Sequence, residues 1–322
     1  MDTSIDRSSL RQEIRTFLEE VDALGLEELE GRDPAELRPE IEEVCRDWWG
    51  PDLAEPAVVR DIELDGADGP IRARVYSPES PSNHPGIVFF HGGGWVIGSV
   101  DTHDGACRML AERLGCVLVS VQYRKAPEHR FPAALEDAWS ATLWVADHVD
   151  ELGIDPERLS VVGESAGGNL AAVVARRARD NGLRLTSQVL VYPVTDSVID
   201  TPSYVRNAVG FNLTKADMQW FMGHYAKTAD DLTHPDFSPL RAGDLSGMAP
   251  AYVITVHADP LHDEGVAYVD RLQEAGVSVV HDDFPDIIHG VFIMHAITPA
   301  TAEIIYGVAD FLSKSWTPTA SS

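Results

Sequence analysis

The sequence predicts an α/β fold with a mostly parallel sheet of eight strands flanked by helices. From residue 57 onward, strand patterns alternate with helical patterns, and the middle strands are continuous apolar runs. Alternation requires crossover helices that return each strand parallel to the last, and unbroken apolar runs indicate strands buried on both faces. A serine flanked by glycines at one strand-to-helix junction, residues 163–167, agrees with this architecture.

The elements follow one another in a regular order. Strands are predicted at 58–64, 71–76, 86–91, 116–121, 159–163, 188–192, 251–256 and 277–284. Helices are predicted at about 102–114, 132–148, 165–181, 262–275 and 298–314. The first two strands form a pair, because only a short stretch rich in glycine and aspartate, 65–69, separates them.

Two segments lie outside this alternation. Residues 1–50 carry apolar side chains at helical spacing before the first strand, so they are expected to form cap helices outside the sheet. Residues 197–240 interrupt the rhythm with aromatic side chains, which indicates an insertion that packs on those helices. The predicted organisation is an N-terminal cap, 1–50, and a main domain, 51–322, with a cap insertion at about 197–240.

The charge of the chain excludes two classes of partner. Among its 322 residues, 52 are acidic and 25 basic, which gives a net charge of −27. Such a surface repels nucleic-acid phosphates and anionic membranes, and no apolar run reaches the ~18 residues of a membrane span. Only four basic residues are lysines. High-salt adaptation and a GC-rich genome both explain this composition, and the sequence leaves the two open.

Cysteine usage and the N-terminus predict a cytoplasmic protein. Cys45, Cys107 and Cys116 have no metal-like spacing and are expected to be reduced thiols. The first six residues contain neither a basic segment nor an apolar core, so no signal peptide is expected.

The strongest chemical signal is Gly163-Glu164-Ser165-Ala166-Gly167, between an apolar strand and a helix of small residues. A serine on so sharp a turn has a strained backbone, and the flanking glycines let strand and helix approach closely. Its hydroxyl then projects above the sheet at a helix N-terminus, where developing negative charge is stabilised. Ser165 is therefore the predicted nucleophile.

A second signal, His91-Gly92-Gly93-Gly94-Trp95, follows the strand that ends at residue 90. Successive glycines expose backbone N–H groups that can stabilise the oxyanion of a tetrahedral intermediate. The N–H groups of Gly93, Gly94 and Ala166 are the predicted donors. A phosphate-binding loop is disfavoured, because the glycine spacing matches neither common motif and no lysine is nearby in sequence. A tight turn without chemistry is the other alternative.

The acid and the base are expected after later strands, because parallel strands bring their carboxyl ends to one edge of the sheet. Asp259 follows the strand at 251–256, and His289 follows the strand at 277–284. His289 would take the proton of Ser165, and Asp259 would orient the imidazole. Asp263 is the alternative acid, although its place in the first turn of a helix suits a charge that complements the helix dipole.

The remaining histidines near these motifs are expected to be structural. His257 and His262 lie on the loop of the acid, and His281 lies within a predicted strand. The run His281-Asp282-Asp283 suggests a metal, but adjacent strand residues point to opposite faces. Neither a metal nor a cofactor is expected.

Together these motifs resemble the bacterial hormone-sensitive-lipase family of esterases, which have the α/β-hydrolase fold. The resemblance covers about 57–314 and rests on five motifs in family order, at 91–95, 123–137, 163–168, 259–265 and 289–290. It implies a helical cap, a serine carboxylesterase acting on short- to medium-chain acyl esters, no cofactor, and often a homodimer. The aromatic residues predicted to line the substrate pocket are Trp95, Phe211 and Trp220.

Two positions depart from the family pattern. Glu164 stands where aspartate is usual, and His262 stands where arginine is common. The longer type-B carboxylesterases also have glutamate at the first position but lack the motifs at 123–137 and 259–265. Two other functions of this fold are an amide hydrolase, such as an aryl formamidase, and a ligand-binding receptor. The plant gibberellin receptors of this fold lack a working histidine, which is present here as His289.

Overall fold

One eight-stranded sheet organises the chain in the computed structural model, which describes residues 6–24, 29–66, 68–80 and 83–317. The strand order is β1-β2-β4-β3-β5-β6-β7-β8. The pairs β1–β2 and β2–β4 are antiparallel, and the other five pairs are parallel. The predicted α/β-hydrolase fold, with a mostly parallel sheet of eight strands, is confirmed.

The bounds of the elements agree with the predicted order. The strands are β1 (Val58–Gly66), β2 (Gly69–Ser77), β3 (His84–Phe90), β4 (Val117–Val121), β5 (Ile154–Glu164), β6 (Ser187–Val191), β7 (Ala251–Ala258) and β8 (Val279–Ile288). The helices are α1 (Gln12–Leu24), α2 (Pro34–Trp49), α3 (Asp104–Leu114), α4 (Ala133–Asp147), α5 (Val149–Leu152), α6 (Ala166–Asp180), α7 (Pro202–Arg206), α8 (Lys215–Tyr225), α9 (His262–Glu274) and α10 (Ala300–Ser315).

Two strands extend beyond a predicted end by four residues or more. β5 begins at Ile154, and β8 continues through Pro285 to Ile288. A proline cannot donate to a sheet ladder, but β8 is an edge strand, where that donor is not required. Residues 1–5, whose composition predicts no signal peptide, and residue 67 of the predicted turn lie outside the described residues.

Alternate residues of the central strands fill two cores, one on each face of the sheet. Val88 and Phe90 of β3 belong to the core that includes residues of α4 and α6. Ile87 and Phe89 belong to the core that includes residues of α3 and α10. Because successive strand residues point to opposite faces, a strand with two covered faces needs apolar residues throughout.

The N-terminal helices are anchored on the sheet domain and on the insertion. The Arg38 guanidinium of α2 donates to the carbonyls of Val96 and Ala126, at 2.9 and 2.8 Å, and pairs with Glu128. Arg7 donates to the carbonyl of Gly210 within the insertion, at 2.7 Å. Within the described ranges, no helix combines the length and the apolar character required to cross a membrane. The division at residue 50 stays a prediction.

Gly105 marks the contact between α3 and α2. A Cβ at this position would lie 2.1 Å from the ring of Trp49, so Gly105→Ala overpacks the contact. We expect a loss of about 1–3 kcal/mol in the free energy of unfolding, measured by urea denaturation. Gly223→Ala in α8 is the matched control, because its Cβ meets no atom within 4 Å. In the control, the free energy of unfolding is expected to rise by up to about 1 kcal/mol, because alanine has a higher helix propensity than glycine. Equal urea midpoints for the two variants would contradict the close contact between Gly105 and Trp49.

Candidate active site

Three side chains that the sequence places on separate motifs meet at the carboxyl edge of the sheet. Ser165 directly follows β5, Asp259 directly follows β7, and His289 directly follows β8. His289 Nε2 lies 2.9 Å from Ser165 Oγ, and His289 Nδ1 lies 2.6 Å from Asp259 Oδ2. Their exposed fractions are 7% for Ser165, 0% for Asp259 and 6% for His289. The hydrogen-bonded chain is therefore shielded from bulk water.

The turn at Ser165 explains the glycine spacing of its motif. Ser165 has φ 56° and ψ −118°, a conformation that costs a residue with a side chain about 1–3 kcal/mol. A Cβ at Gly163 would lie 2.0 Å from the carbonyl oxygen of Gly167, and a Cβ at Gly167 would lie 2.0 Å from that of Phe90. Only glycines allow β5, α6 and β3 to approach this closely.

The charge around His289 favours its protonated form. Burial lowers the pKa of His289, but the hydrogen-bonded Asp259 carboxylate and the charge of Glu164 outweigh burial. The pKa of His289 is consequently raised above its usual value of 6.5. Asp259 is itself held in place, because its Oδ1 accepts the backbone N–H of Leu261 at 2.8 Å.

Two asparagines of the segment 197–240 hold the backbone at Asp259 and at His289. Asn207 Nδ2 donates to the carbonyls of His257 and Asp259, both at 2.8 Å. Asn212 Nδ2 donates to the carbonyl of His289 at 3.0 Å. The sequence analysis missed both residues, because nothing local distinguishes an asparagine that binds a distant backbone.

Asp263, the alternative acid, is bonded to Ser203 and His262, whereas His289 is bonded to Asp259. Its Oδ2 accepts the backbone N–H of Ser203 at 2.8 Å, and its Oδ1 lies 2.9 Å from Nδ1 of His262. The neighbouring Glu264 accepts the N–H of Thr195 at 2.7 Å. Both carboxylates therefore bind α9 to the backbone that follows β6. For Asp263 this contact adds to the expected interaction with the helix dipole.

The glycine loop after β3 begins beside the first turn of α6, where a Cβ at Gly167 would meet the carbonyls of Phe90 and His91. Gly93 and Gly94 have φ angles of 109° and 57°, which favour glycine. A Cβ at Gly94 would lie 2.1 Å from the Phe221 ring, so this ring of α8 packs directly on the loop. Within the described part of the chain, the N–H groups of Gly93 and Gly94 donate to no other protein group. Together with the Ala166 N–H in the first turn of α6, they can bind an oxyanion.

The motif at 123–137 is the support of this loop. Tyr123 Oη donates to the carbonyl of His91 at 2.8 Å, and Lys125 Nζ donates to that of Gly98 at 2.6 Å. The N–H of Ala126 donates to the carbonyl of Trp95 at 2.9 Å. Three carbonyls of the segment 91–98 are thereby held by hydrogen bonds, and these bonds fix the loop that carries Gly93 and Gly94.

Glu164 lies beneath the same loop. Glu164 is 4% exposed, and its Oε2 lies 3.3 Å from Nε2 of His103. A Cβ at Gly92 would lie 1.7 Å from that oxygen, so the loop and the carboxylate are in direct contact. The Glu164 carboxylate is therefore in contact with the loop, and its charge also contributes to the raised pKa of His289.

The three aromatic residues predicted for the pocket lie in different surroundings. Trp95 is fully buried, and its ring stacks on Tyr225 at 4.5 Å. Phe211 is buried within the core that includes α3 and α10, whereas Trp220 is half-buried and contacts the Phe221 ring edge-on. Their role in binding substrate stays a prediction. Phe221 was missed, although it contacts Gly94 directly.

A mostly parallel sheet with a serine at a strand-to-helix turn, and with aspartate and histidine after later strands, defines the α/β hydrolases as a class. A family model described as "alpha/beta hydrolase fold" matches residues 87–293. The esterase LipI of Mycobacterium tuberculosis is 41% identical over 255 residues, which cover 76% of this chain and 78% of that protein. The ethyl acetate hydrolase of Pseudomonas putida is 38% identical over 268 residues, which cover 81% and 84%.

A solved structure agrees with these relatives. The ester hydrolase EH1AB1 from the metagenome of Lake Arreo, complexed with a bipyridine phosphonate derivative, superposes with a TM-score of 0.91. It is 38% identical, and the match covers 95% of this chain and 98% of that one. The chain therefore belongs to the hormone-sensitive-lipase-like family of α/β hydrolases, a family of ester hydrolases.

The charge of Glu164 gives a test of the electrostatics around His289. Glu164→Gln removes one of the negative charges that raise the pKa of His289, so that pKa is expected to fall. NMR titration of the imidazole measures it. Glu112→Gln, on the exposed side of α3, is the control and leaves the pKa unchanged. An unchanged or higher pKa in the Glu164 variant would show that this charge does not act on His289.

Proposed function

We propose that the protein is a serine carboxylesterase that hydrolyses short- to medium-chain acyl esters, with Ser165, Asp259 and His289 as its catalytic residues. The observation that carries the proposal is the continuous chain of hydrogen bonds from Ser165 Oγ through both nitrogens of His289 to Asp259 Oδ2, at 2.9 and 2.6 Å. A hydroxyl, a base and an orienting acid at these distances form the arrangement that acyl transfer requires.

The reaction proceeds in two halves. His289 Nε2 removes the proton of Ser165 while Oγ attacks the ester carbonyl, and it then protonates the departing alcohol. The acyl group remains on Oγ. Water, deprotonated by the same nitrogen, attacks the acyl-enzyme and releases the carboxylic acid and the serine hydroxyl. Asp259 keeps the proton on Nδ1 and stabilises the imidazolium throughout.

The oxyanion of both tetrahedral intermediates would be bound by the N–H groups of Gly93, Gly94 and Ala166. The support for this role is the glycine backbone of the loop and the place of Ala166 in the first turn of α6. Each such donor contributes about 2.7–4 kcal/mol to lowering the barrier. The helix N-terminus adds a favourable potential for the developing charge.

The relatives of this chain support small acyl esters as the substrate class. A relative 38% identical to this chain is named for hydrolysis of ethyl acetate, which supports a small acyl ester. Initial rates on p-nitrophenyl esters of increasing acyl length give the preferred chain length, and an aryl formamide assayed beside them tests the amide alternative. Faster turnover of the formamide than of every ester would show that the protein is an amide hydrolase and not an esterase. A cytoplasmic location, a homodimer and a separate cap at 1–50 stay predictions.

Ser165→Ala removes the nucleophile. It is expected to lower kcat/KM for p-nitrophenyl butyrate by at least about three orders of magnitude, because the oxyanion donors alone retain only a small part of the acceleration. Ser246→Ala, at an exposed serine, is the control and keeps the wild-type rate. An unfolding midpoint for the Ser165 variant confirms that it is folded, and near-normal turnover by that folded protein refutes the assignment.

The raised pKa of His289 sets the acid limb of the pH profile. The neutral imidazole is the active form, so kcat/KM falls as pH decreases through the pKa of His289 in the free enzyme. Because Asp259 and Glu164 raise this pKa above 6.5, half of the activity should be lost at a pH above 6.5. Stopped assays between pH 5 and 9 measure the midpoint. A midpoint below 6.5 in the wild-type protein is the contrary result.

A further inference from the structure

Outside the active site, three metal-ligating side chains converge beside the turn between β7 and α9. They are His257 in β7, His262 at the start of α9 and Asp283 in β8, and their ligand atoms all lie within 4.8 Å of one another. His257 Nε2 lies 2.8 Å from Asp283 Oδ2, and His262 Nε2 lies 3.2 Å from Asp283 Oδ1. Ligands at 2.0–2.1 Å from a tetrahedral Zn²⁺ are separated by about 3.3 Å, so small side-chain movements suffice to enclose an ion.

The strand register brings these residues together. Asp283 of β8 pairs with Thr255 of β7, and Thr255 lies two residues before His257 in the same strand. The pairing of β7 with β8 is irregular between Val256 and Ala258. His257 is the exposed residue in an otherwise buried β7. Neighbouring residues of β8 point to opposite faces, so His281, Asp282 and Asp283 do not form a metal site together. Asp283 instead lies beside His257 of β7 and His262 of α9, a proximity that the sequence alone does not show.

The ligands are also oriented by further hydrogen bonds. His262 Nδ1 lies 2.9 Å from Asp263 Oδ1, so with its proton on Nδ1 the imidazole would donate to Asp263 and offer the lone pair of Nε2 to an ion. Thr255 Oγ1 donates to Asp283 Oδ1 at 2.7 Å. Carboxylates and hydroxyls that orient the first ligands in this way are a regular feature of protein metal sites.

The charges around these three side chains favour a bound cation. Across residues 6–24, 29–66, 68–80 and 83–317, the ion-pair partners of Asp283 are the imidazoles of His257 and His262, with no lysine or arginine among them. Arg206 pairs instead with Asp263, at 3.5 Å. When both imidazoles are neutral, the site carries one negative charge in a protein of net charge −27. The field of the molecule therefore attracts a cation to this cluster.

We propose that His257, His262 and Asp283 bind a divalent transition-metal cation of the Zn²⁺ class, with water as the remaining ligand. Two imidazoles and one carboxylate suit Zn²⁺, Co²⁺, Ni²⁺ or Cu²⁺, whereas Mg²⁺ and Ca²⁺ require oxygen ligands. The ion takes no part in ester hydrolysis. It links the turn that carries Asp259 to the strand that leads to His289, and it gives His262 a role at its variant position. This inference departs from the sequence expectation of no metal.

Direct binding tests the site on full-length, untagged protein freed of metal with a chelator. Calorimetry with Zn²⁺ is expected to give one equivalent bound, and Co²⁺ is expected to give the visible absorption of a four-coordinate site. Zn²⁺ at about 100 times its Kd is expected to raise Tm by about 5 °C. Absence of one-to-one Zn²⁺ binding below millimolar concentration overturns the proposal.

Variants locate the ion. His257→Ala and Asp283→Asn are each expected to weaken Zn²⁺ binding at least tenfold and to abolish the Tm shift, because each removes one of the three protein ligands. His129→Ala, at an exposed histidine outside the cluster, keeps both effects. Ser165→Ala also keeps them, so the metal site and the esterase proposal fail independently. Unchanged Zn²⁺ binding in either cluster variant, with Tm in the absence of metal equal to wild type, overturns the assignment.

Discussion

The backbone contact between β5 and the first turn of α6 fixes most of what surrounds Ser165. Because Gly163 and Gly167 bring these elements together without side chains, the helix N-terminus lies directly behind the serine. The same closeness holds α6 against the end of β3, where the glycine loop begins. One strained residue and its flanking glycines thus place a hydroxyl, a helix terminus and a row of N–H groups within one small volume. Side chains of ordinary size at either glycine would separate all three.

The insertion contributes as much to the site as the sheet does. The sheet delivers Asp259 and His289 to neighbouring strand ends, but the amides of Asn207 and Asn212 hold the backbone at those positions. Phe221, from the same insertion, covers Gly94. Asp259, His289 and the glycine loop are consequently all in contact with the segment 197–240, which interrupts the alternation of strands and helices in the sequence. Changes in that segment alter the geometry of the reacting groups as well as the shape of the pocket.

The sheet and the positions of Ser165, Asp259 and His289 could be predicted because short stretches of sequence identify each strand and its end. Continuous apolar runs identify buried strands, and strand-end positions follow from them, so Ser165, Asp259 and His289 could be placed at one edge. The features that were missed depend on distant pairing. The contacts of Asn207 and Asn212 require the path of the insertion, and the proximity of Asp283 to His257 requires the β7–β8 register. For Trp95, hydrophobicity alone does not distinguish a ring that lines a cavity from one enclosed in the core, and its role in binding substrate stays a prediction.

The anchoring of α2 bears on how the enzyme admits and releases molecules. One guanidinium, that of Arg38, donates four hydrogen bonds across the junction, and two of its acceptors are carbonyls beside the glycine loop and its support. Movement of α2 away from the sheet would break all four hydrogen bonds at once and would disturb the glycine loop. These four bonds therefore favour a fixed position of α2 against the glycine loop, so that passage of substrate and product by movement of α2 would first have to break them.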